Sequence, residues 1–434
     1  MGITRREFVA AAGTTAAASL LPQAARAAGR RRFALVGTGV RGTSMWGRDL
    51  VERYPDVLEF VGLCDVNPLR VETAKRYLGV ACPTFTKLED MLDTVKPDAL
   101  MVTTVDATHA GCIITGLERG IDVITEKPMV IDEAQCQAVL DAEKRSGRKL
   151  AVTFNYRYSP KHQKIKELLL SGEIGQITSV DFAWFLDTQH GADYFRRWHR
   201  LRERSGSLWV HKATHHFDLI NWWLDAEPVE VSAFGSLQHY GAKGPYHHTT
   251  CRGCPDQGRC PFFWDITKNE RLKALYVDCE SADGYTRDGC VFKEDVNIPD
   301  TMNAVVRYTS GVTMSYSLNA CMPYEGYRLA FNGTKGRLDV RDYERQPWAP
   351  PAATEIYVTR NFGRRRAVPL PQAEGGHGGG DDRLRDLIFR QVKVADHLRL
   401  PDSRAGAMSC LTGIAARKSM DEGRVVKIAD LVRL

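Results

Sequence analysis

The sequence predicts an α/β protein of two parts: an N-terminal doubly wound parallel sheet, then a C-terminal α/β part built on a large, open, mostly antiparallel sheet. Three observations carry this. Short apolar runs alternate with helical stretches between residues 33 and 125. A glycine-rich turn joins the first run to the first helix. Beyond about residue 155 the pattern changes to short alternating runs parted by glycine turns, with few helices between them. The 434 residues suit two or three domains. Hydrophobic residues at 43% and charged residues at 26% exclude a disordered or fibrous chain. The net charge of +6 is small and evenly spread, so it does not suggest a nucleic-acid partner. No apolar run is long enough for a membrane span.

Residues 1–27 read as an address. Arg5-Arg6 precede a mildly apolar, Ala-rich stretch, and Ala25-Arg26-Ala27 offers a small-x-small cleavage site. This is the pattern of a twin-arginine export signal, which makes the export machinery a partner and a periplasmic or otherwise exported location the expectation. That route carries folded proteins.

Residues 28–153 form the expected nucleotide-binding unit. Phe33-Ala34-Leu35-Val36 has the length and apolarity of a buried parallel strand. It runs into Gly37-Thr38-Gly39-Val40-Arg41-Gly42, whose glycines allow a tight turn, close approach of a pyrophosphate and close packing of the next helix, expected over 45–54. The helix start supplies N–H donors for phosphate. A second run, 58–64, ends in Asp65, 23 residues beyond Gly42, near the spacing at which a carboxylate bonds the adenosine ribose and repels a 2′-phosphate. NAD is therefore expected over NADP, although Arg70 could reach toward a 2′-phosphate. Runs at 99–104 and 121–125 flank a helix at 109–119, and ligands sit at the carboxyl ends of such strands. Two ends are chemically loaded: Thr104 to His109, and Glu126-Lys127-Pro128. Proline restricts Lys127 to an extended backbone, and its ammonium could lower the pKa of a substrate hydroxyl or share its proton. Spacing alone also allows a solvated surface lysine.

Taken with Asn155-Tyr156-Arg157-Tyr158, Gly172-Glu173-Ile174-Gly175, His215-His216-Phe217-Asp218, Gly333-Thr334-Lys335-Gly336 and Ala415-Ala416-Arg417-Lys418-Ser419, these motifs resemble the glucose–fructose oxidoreductase / inositol dehydrogenase / rhizopine-catabolism (Gfo/Idh/MocA) family over nearly everything after the signal. The resemblance implies a cofactor held by Gly37, Thr38, Gly39, Val40, Arg41, Gly42 and Asp65. It implies a nicotinamide against Thr104 to His109, with Glu126, Lys127 and Asn155 also among the cofactor-binding residues, and an acid–base histidine at His215. It also implies a C-terminal sheet that pairs between copies, hence a homo-oligomer.

Residues 154–434 make the substrate side. Strands are expected at 177–186, 301–308, 313–318, 328–332 and 337–340. Tyr156, Arg157, Trp198, His211, His215 and His377 are the substrate-facing candidates, while Trp222 and Trp223 suit the core. His211 and His215 lie one helical turn apart on one face. The family usually carries aspartate where this chain has His211, which puts the ordinary proton relay in question. Acid–base or hydroxyl contacts rank first for the pair, a structural role second and a metal third. Gly375 to Gly380, with His377 inside, reads as a lid or a linker. A turn-rich insert at about 247–292 carries Cys251, Cys254, Cys260 and Cys290, which suit a structural zinc or disulfides.

These readings lead to an exported NAD(P)-dependent oxidoreductase with tightly bound cofactor, its catalytic residues Lys127, His215 and His211, acting on the CH–OH groups of a small carbohydrate: a sugar, glycoside or polyol. An NAD-dependent glycosidase working by transient oxidation and elimination is the alternative, and a non-catalytic sugar-binding protein the third.

Overall fold

The computed structural model describes residues 29–345, 353–370 and 375–433, and the expected export signal lies outside the described residues. The first sheet contains β1 (Arg31–Val36), β2 (Leu58–Cys64), β3 (Thr84–Phe85), β4 (Ala99–Val102), β5 (Asp122–Thr125) and β6 (Leu150–Val152) in the order β3-β2-β1-β4-β5-β6, all parallel. Every residue of β4 and β5 is buried, because helices cover both faces, and this is why those strands read as unbroken apolar runs. The flanking helices start where the sequence supplies caps. Asn67 accepts from the Arg70 N–H ahead of Pro68–Leu78, and Asp132 accepts from the Gln135 N–H ahead of Glu133–Ser146. Gly79 and Gly147 end them in the left-handed region. The helix after the glycine turn begins at Val40, not Met45, since the extended Gly39 serves as its N-cap, and it passes through a π turn at Ser44–Arg48.

The second sheet has nine strands: β7 (Ile177–Asp187), β8 (Pro228–Ser236), β9 (Thr301–Tyr308), β10 (Thr313–Met322), β11 (Glu325–Gly333), β12 (Gly336–Arg345), β13 (Ala353–Arg360), β14 (Arg365–Ala367) and β15 (Val426–Lys427). Their order is β14-β13-β12-β11-β7-β10-β9-β8-β15, antiparallel throughout except for the parallel β7–β10 pair. Along β7, Val180, Phe182, Trp184 and Leu186 turn into the core and their neighbours turn outward. The covered face packs on helices that include Ala213–Leu224 and Ser403–Glu422. The outer face stays open, with Asp181, Ser315, Arg328, Arg337 and Arg341 around a shallow depression.

The two sheets share one body. The Val152 N–H donates to the Pro401 carbonyl at 3.0 Å, and Ala151 forms a bridge with Asp402. On the helix that follows, Lys418 pairs with Glu133 of the first part at 2.6 Å.

The insert corrects one expectation. All eleven cysteines are free thiols, and among the described residues no group of three or more His, Cys, Asp or Glu side chains is arranged to hold a metal ion. The sulfurs are committed elsewhere. Cys251 Sγ accepts from Arg196 Nη1 at 3.0 Å, and Cys290 Sγ faces the Tyr246 carbonyl at 3.7 Å. Structural zinc and disulfides both give way to a different staple: the Arg252 guanidinium held by Asp288 and Glu280, and the packed rings of Tyr240, Phe262 and Phe292.

Candidate active site

The glycine turn has the geometry a dinucleotide needs. Gly37 sits at φ +90°, and a Cβ there would lie 2.5 Å from the Thr103 carbonyl carbon, so only glycine fits between β1 and the end of β4. A Cβ on Gly42 would lie 2.2 Å from the Gly37 carbonyl oxygen, which shows how closely the helix approaches the turn. Gly39 is open apart from the Tyr276 hydroxyl, 3.2 Å from its Cβ position, so a phosphate has backbone to approach. Asp65 stands at the end of β2 with one oxygen accepting from the Thr38 N–H and hydroxyl at 2.8 and 3.0 Å, and the other from the Asn67 N–H at 3.0 Å. It thus anchors the turn. Arg70 lies between Asp65 at 3.3 Å and Asp283 at 2.9 Å, so its charge is already matched by two carboxylates. A buried carboxylate beside an open glycine turn fits a nicotinamide dinucleotide.

The other cofactor candidates form a brace around this turn. Glu126 accepts from Arg41 Nε at 2.6 Å and Trp46 Nε1 at 2.7 Å, and against burial Arg41 and Lys127 hold its carboxyl below the ordinary range. Arg41 also reaches Asp381 at 3.6 Å, whose carboxylate accepts from Asn155 at 2.5 Å and meets His377 Nδ1 at 3.0 Å. The loop carrying His377 is therefore docked, and its ring lies 5.3 Å from that of Tyr156. His109 places Nδ1 2.7 Å from the Pro128 carbonyl and Nε2 3.2 Å from the Thr104 carbonyl. Burial keeps the ring neutral, with one N–H to donate to one of these two carbonyls, and His109 thereby stands between the ends of β4 and β5. Val40 contributes its N–H, and Thr104 stands half-buried at the floor of the cleft.

Lys127 enters that cleft from the end of β5. The Lys127–Pro128 peptide bond is cis. Lys127 Nζ donates to the His211 carbonyl at 3.2 Å, and burial pushes its ammonium down to about 8, with Asp106 and Glu126 opposing the shift. His211 Nδ1 lies 2.6 Å from Asp106 Oδ2. Burial pushes the carboxyl up and the imidazole down, so the pair holds one proton between them. His215 stacks flat on Tyr156, with centroids 4.3 Å apart and planes at 11°, and its buried Nδ1 has no partner among the described residues. Burial, with the charges of Lys127 and Lys212, pushes His215 well below its ordinary range, so the ring is a neutral base at pH 7. Lys212 Nζ donates to the Tyr156 hydroxyl at 3.3 Å and lies 4.9 Å above the Trp184 ring.

Two substrate candidates are placed differently. Arg157 makes a bidentate pair with Asp218 at 2.7 and 2.5 Å, under the helix that carries His215, so its guanidinium is committed to propping that helix. Trp198 stacks on His199 at 3.5 Å, lining the cleft through that histidine, whose edge meets His211 at 4.1 Å. Sequence reasoning missed Asp106, Lys212, His199 and Tyr276. Asp106 was detectable, since it opens a helix at a strand's carboxyl end. Nothing in the pattern of apolar residues marks the other three.

Comparison with known proteins agrees with this geometry. Residues 31–154 match the family described as "Oxidoreductase family, NAD-binding Rossmann fold", and residues 166–428 match "Oxidoreductase family, C-terminal alpha/beta domain". YteT of Bacillus subtilis (strain 168) is 38% identical over 431 residues, covering 93% of this chain and 99% of its own. The inositol 2-dehydrogenase/D-chiro-inositol 3-dehydrogenase of Lactiplantibacillus plantarum is 24% identical over 46% of this chain and 55% of its own. Among solved structures, the WlbA dehydrogenase of Bordetella pertussis, in complex with NADH and UDP-GlcNAcA, superposes with a TM-score of 0.62 at 19% identity, covering 92% of this chain and 98% of that one. The chain belongs to the Gfo/Idh/MocA oxidoreductase family, whose N-terminal unit binds NAD in a Rossmann fold.

Proposed function

We propose that this protein moves a hydride between a CH–OH carbon of a sugar, glycoside or polyol and a tightly held NAD, and that it works after export by the twin-arginine route. One observation carries the chemistry: Lys127, from the end of a strand in the first part, and His215, from a helix of the second, converge on one cleft beside Tyr156. Bound NAD supplies the hydride acceptor or donor. The Lys127 ammonium holds the reacting oxygen and stabilises the negative charge that grows on it as its proton leaves. His215, neutral through burial, takes that proton on a ring nitrogen during oxidation and returns it during reduction. The Asp106–His211 pair fixes the backbone carbonyl that orients Lys127. Asp65 and Asp283 oppose a 2′-phosphate, which supports NAD over NADP. Arg5 and Arg6 motivate the export reading, and outside the cytoplasm a retained cofactor would need resetting by a second substrate.

The test begins with protein purified without added nucleotide. The bound nucleotide is released by denaturation and identified, and the holoprotein is incubated with a panel of sugars, polyols and aryl glycosides. NAD together with oxidised sugar supports the proposal. Release of an aglycone with no net NADH points to the oxidation–elimination glycosidase, and no turnover with intact NAD points to a binding protein.

A further inference from the structure

We propose that the cysteine-rich insert is the outer wall of the cofactor site, with Tyr276 as a pyrophosphate-binding residue and the Arg70–Asp283 pair as the latch that retains the nucleotide. The proposal takes only the NAD-binding fold as given and is independent of the substrate.

The contacts lie where the dinucleotide must run. The Val40 N–H, one of the donors that the glycine turn presents, donates to the Tyr276 hydroxyl at 3.0 Å. That oxygen is also the one non-neighbouring atom near the open face of Gly39. Arg271 from the same insert donates to the Val40 carbonyl at 3.2 Å and the Thr43 hydroxyl at 3.0 Å, bringing a guanidinium to the turn. On the ribose side Asn67 donates to the Cys279 carbonyl at 2.9 Å, and Arg70 donates to the Leu275 carbonyl at 3.2 Å and to Asp283. Ile266, Leu275 and Tyr276 make a small apolar cluster of their own, against which Val40 packs. At its far end Arg287 pairs with Asp193 at 2.7 Å on the substrate side. The insert is thereby fastened at both ends of the cleft.

The chemistry follows from what a phenol can do. Tyr276 now accepts from an N–H that the fold reserves for an anion, and its own proton is free to be donated. A pyrophosphate oxygen that moves the hydroxyl off the Val40 N–H can take both donors, that N–H and the Tyr276 O–H, with Arg271 adding positive charge. A surface turn that would otherwise face water is covered, so these hydrogen bonds act in a drier setting and are stronger for it. Leaving requires the Arg70–Asp283 and Asn67–Cys279 contacts to open together, which makes release slow. An exported enzyme, with no nucleotide pool around it, gains most from slow release.

The experiment measures release, not turnover. Full-length protein is loaded with NADH, mixed with excess NAD, and the loss of bound-NADH fluorescence is followed in the native protein, Tyr276→Phe, Asp283→Asn and the double variant. Thermal unfolding with saturating NAD checks that each variant folds. Each single change is expected to speed release about tenfold, the loss of one hydrogen bond to a charged group, and the double change more. Release at the native rate from the folded double variant overturns the proposal. Slower release from Tyr276→Phe also overturns it, since the hydroxyl would then be a plug that competes with phosphate. A native protein that never takes up NADH would instead refute the cofactor assignment itself.

Discussion

Lys127 and His215 are two bases that burial has tuned to different ends, one to about 8 and the other far down the histidine range. Lys127→Met and His215→Ala are each expected to slow turnover about 10²-fold or more, the usual scale for a positioned acid or base, while bound NAD survives both. Retained nucleotide with lost rate, measured on the same preparation, checks this. The pH profile follows from the sign of the Lys127 shift. Its charge is present below about 8 and lost above, so the rate of substrate oxidation is expected to fall as pH rises through 8. The residual activity of Lys127→Met should lack that limb. Lys212 raises a question of specificity. Its buried ammonium bonds a phenol, and among the described residues it makes no close ion pair, only the more distant charges of Glu325 and Glu344 opposing its burial. A sugar acid is therefore expected to bind better than its neutral counterpart, with Lys212→Met raising KM for the acid alone. Arg157→Ala, by contrast, is expected to cost about 3–5 kcal/mol of stability, because it strands the fully buried Asp218 charge; a fall in Tm beyond any change in KM checks it. These residues also show what a sequence conveys. Lys127 and His215 draw notice in the sequence by their place beside a proline-ended strand and on a helix of marked residues, and the structure sets them around the same helix segment, Lys127 on the His211 carbonyl and His215 on Tyr156. The pairing of Arg157 with Asp218 was not legible, because the partner lies 61 positions away and no local pattern reports such a pair.

The parallel strands were the most legible elements, since burial on both faces writes itself as an unbroken apolar run in β4 and β5. The glycine turn was equally plain, because its constraint is steric: a Cβ at Gly37 or Gly42 meets backbone. The insert was not. Its cysteine spacing suggested a metal knot, whereas the side chains turn to an arginine and to carbonyls, orientations that spacing cannot encode. Joint replacement of the half-buried Cys254 and Cys260 by serine is expected to lower the unfolding free energy by no more than about 1 kcal/mol, with a correspondingly small change in Tm. Elemental analysis of the native protein should show no stoichiometric zinc. A large fall in Tm, or bound zinc, would restore the knot.

The molecule as a whole presents an open sheet face, and a homo-oligomer formed through it remains the expectation; light scattering on the native protein and on Arg328→Glu, a charge reversal at the centre of that face, would check it. Lysine in place of both Arg5 and Arg6 should hold the precursor in the cytoplasm without altering its fold, and normal periplasmic yield would show the pair to be incidental. The joining of the two sheets has a consequence for biosynthesis. The backbone of β6, last strand of the first sheet, is completed by Pro401 and Asp402, and the helix that follows is fixed to Glu133. A ribosome delivers that partner segment some 250 residues after the strand it serves, estimated against the usual rule that N-terminal domains fold first during synthesis. That edge of the nascent N-terminal unit stays unpaired until residues 401 and 402 have emerged. A fragment that stops after residue 153 lacks that hydrogen bond and bridge, so it is expected to unfold at lower denaturant than the same unit in the whole chain.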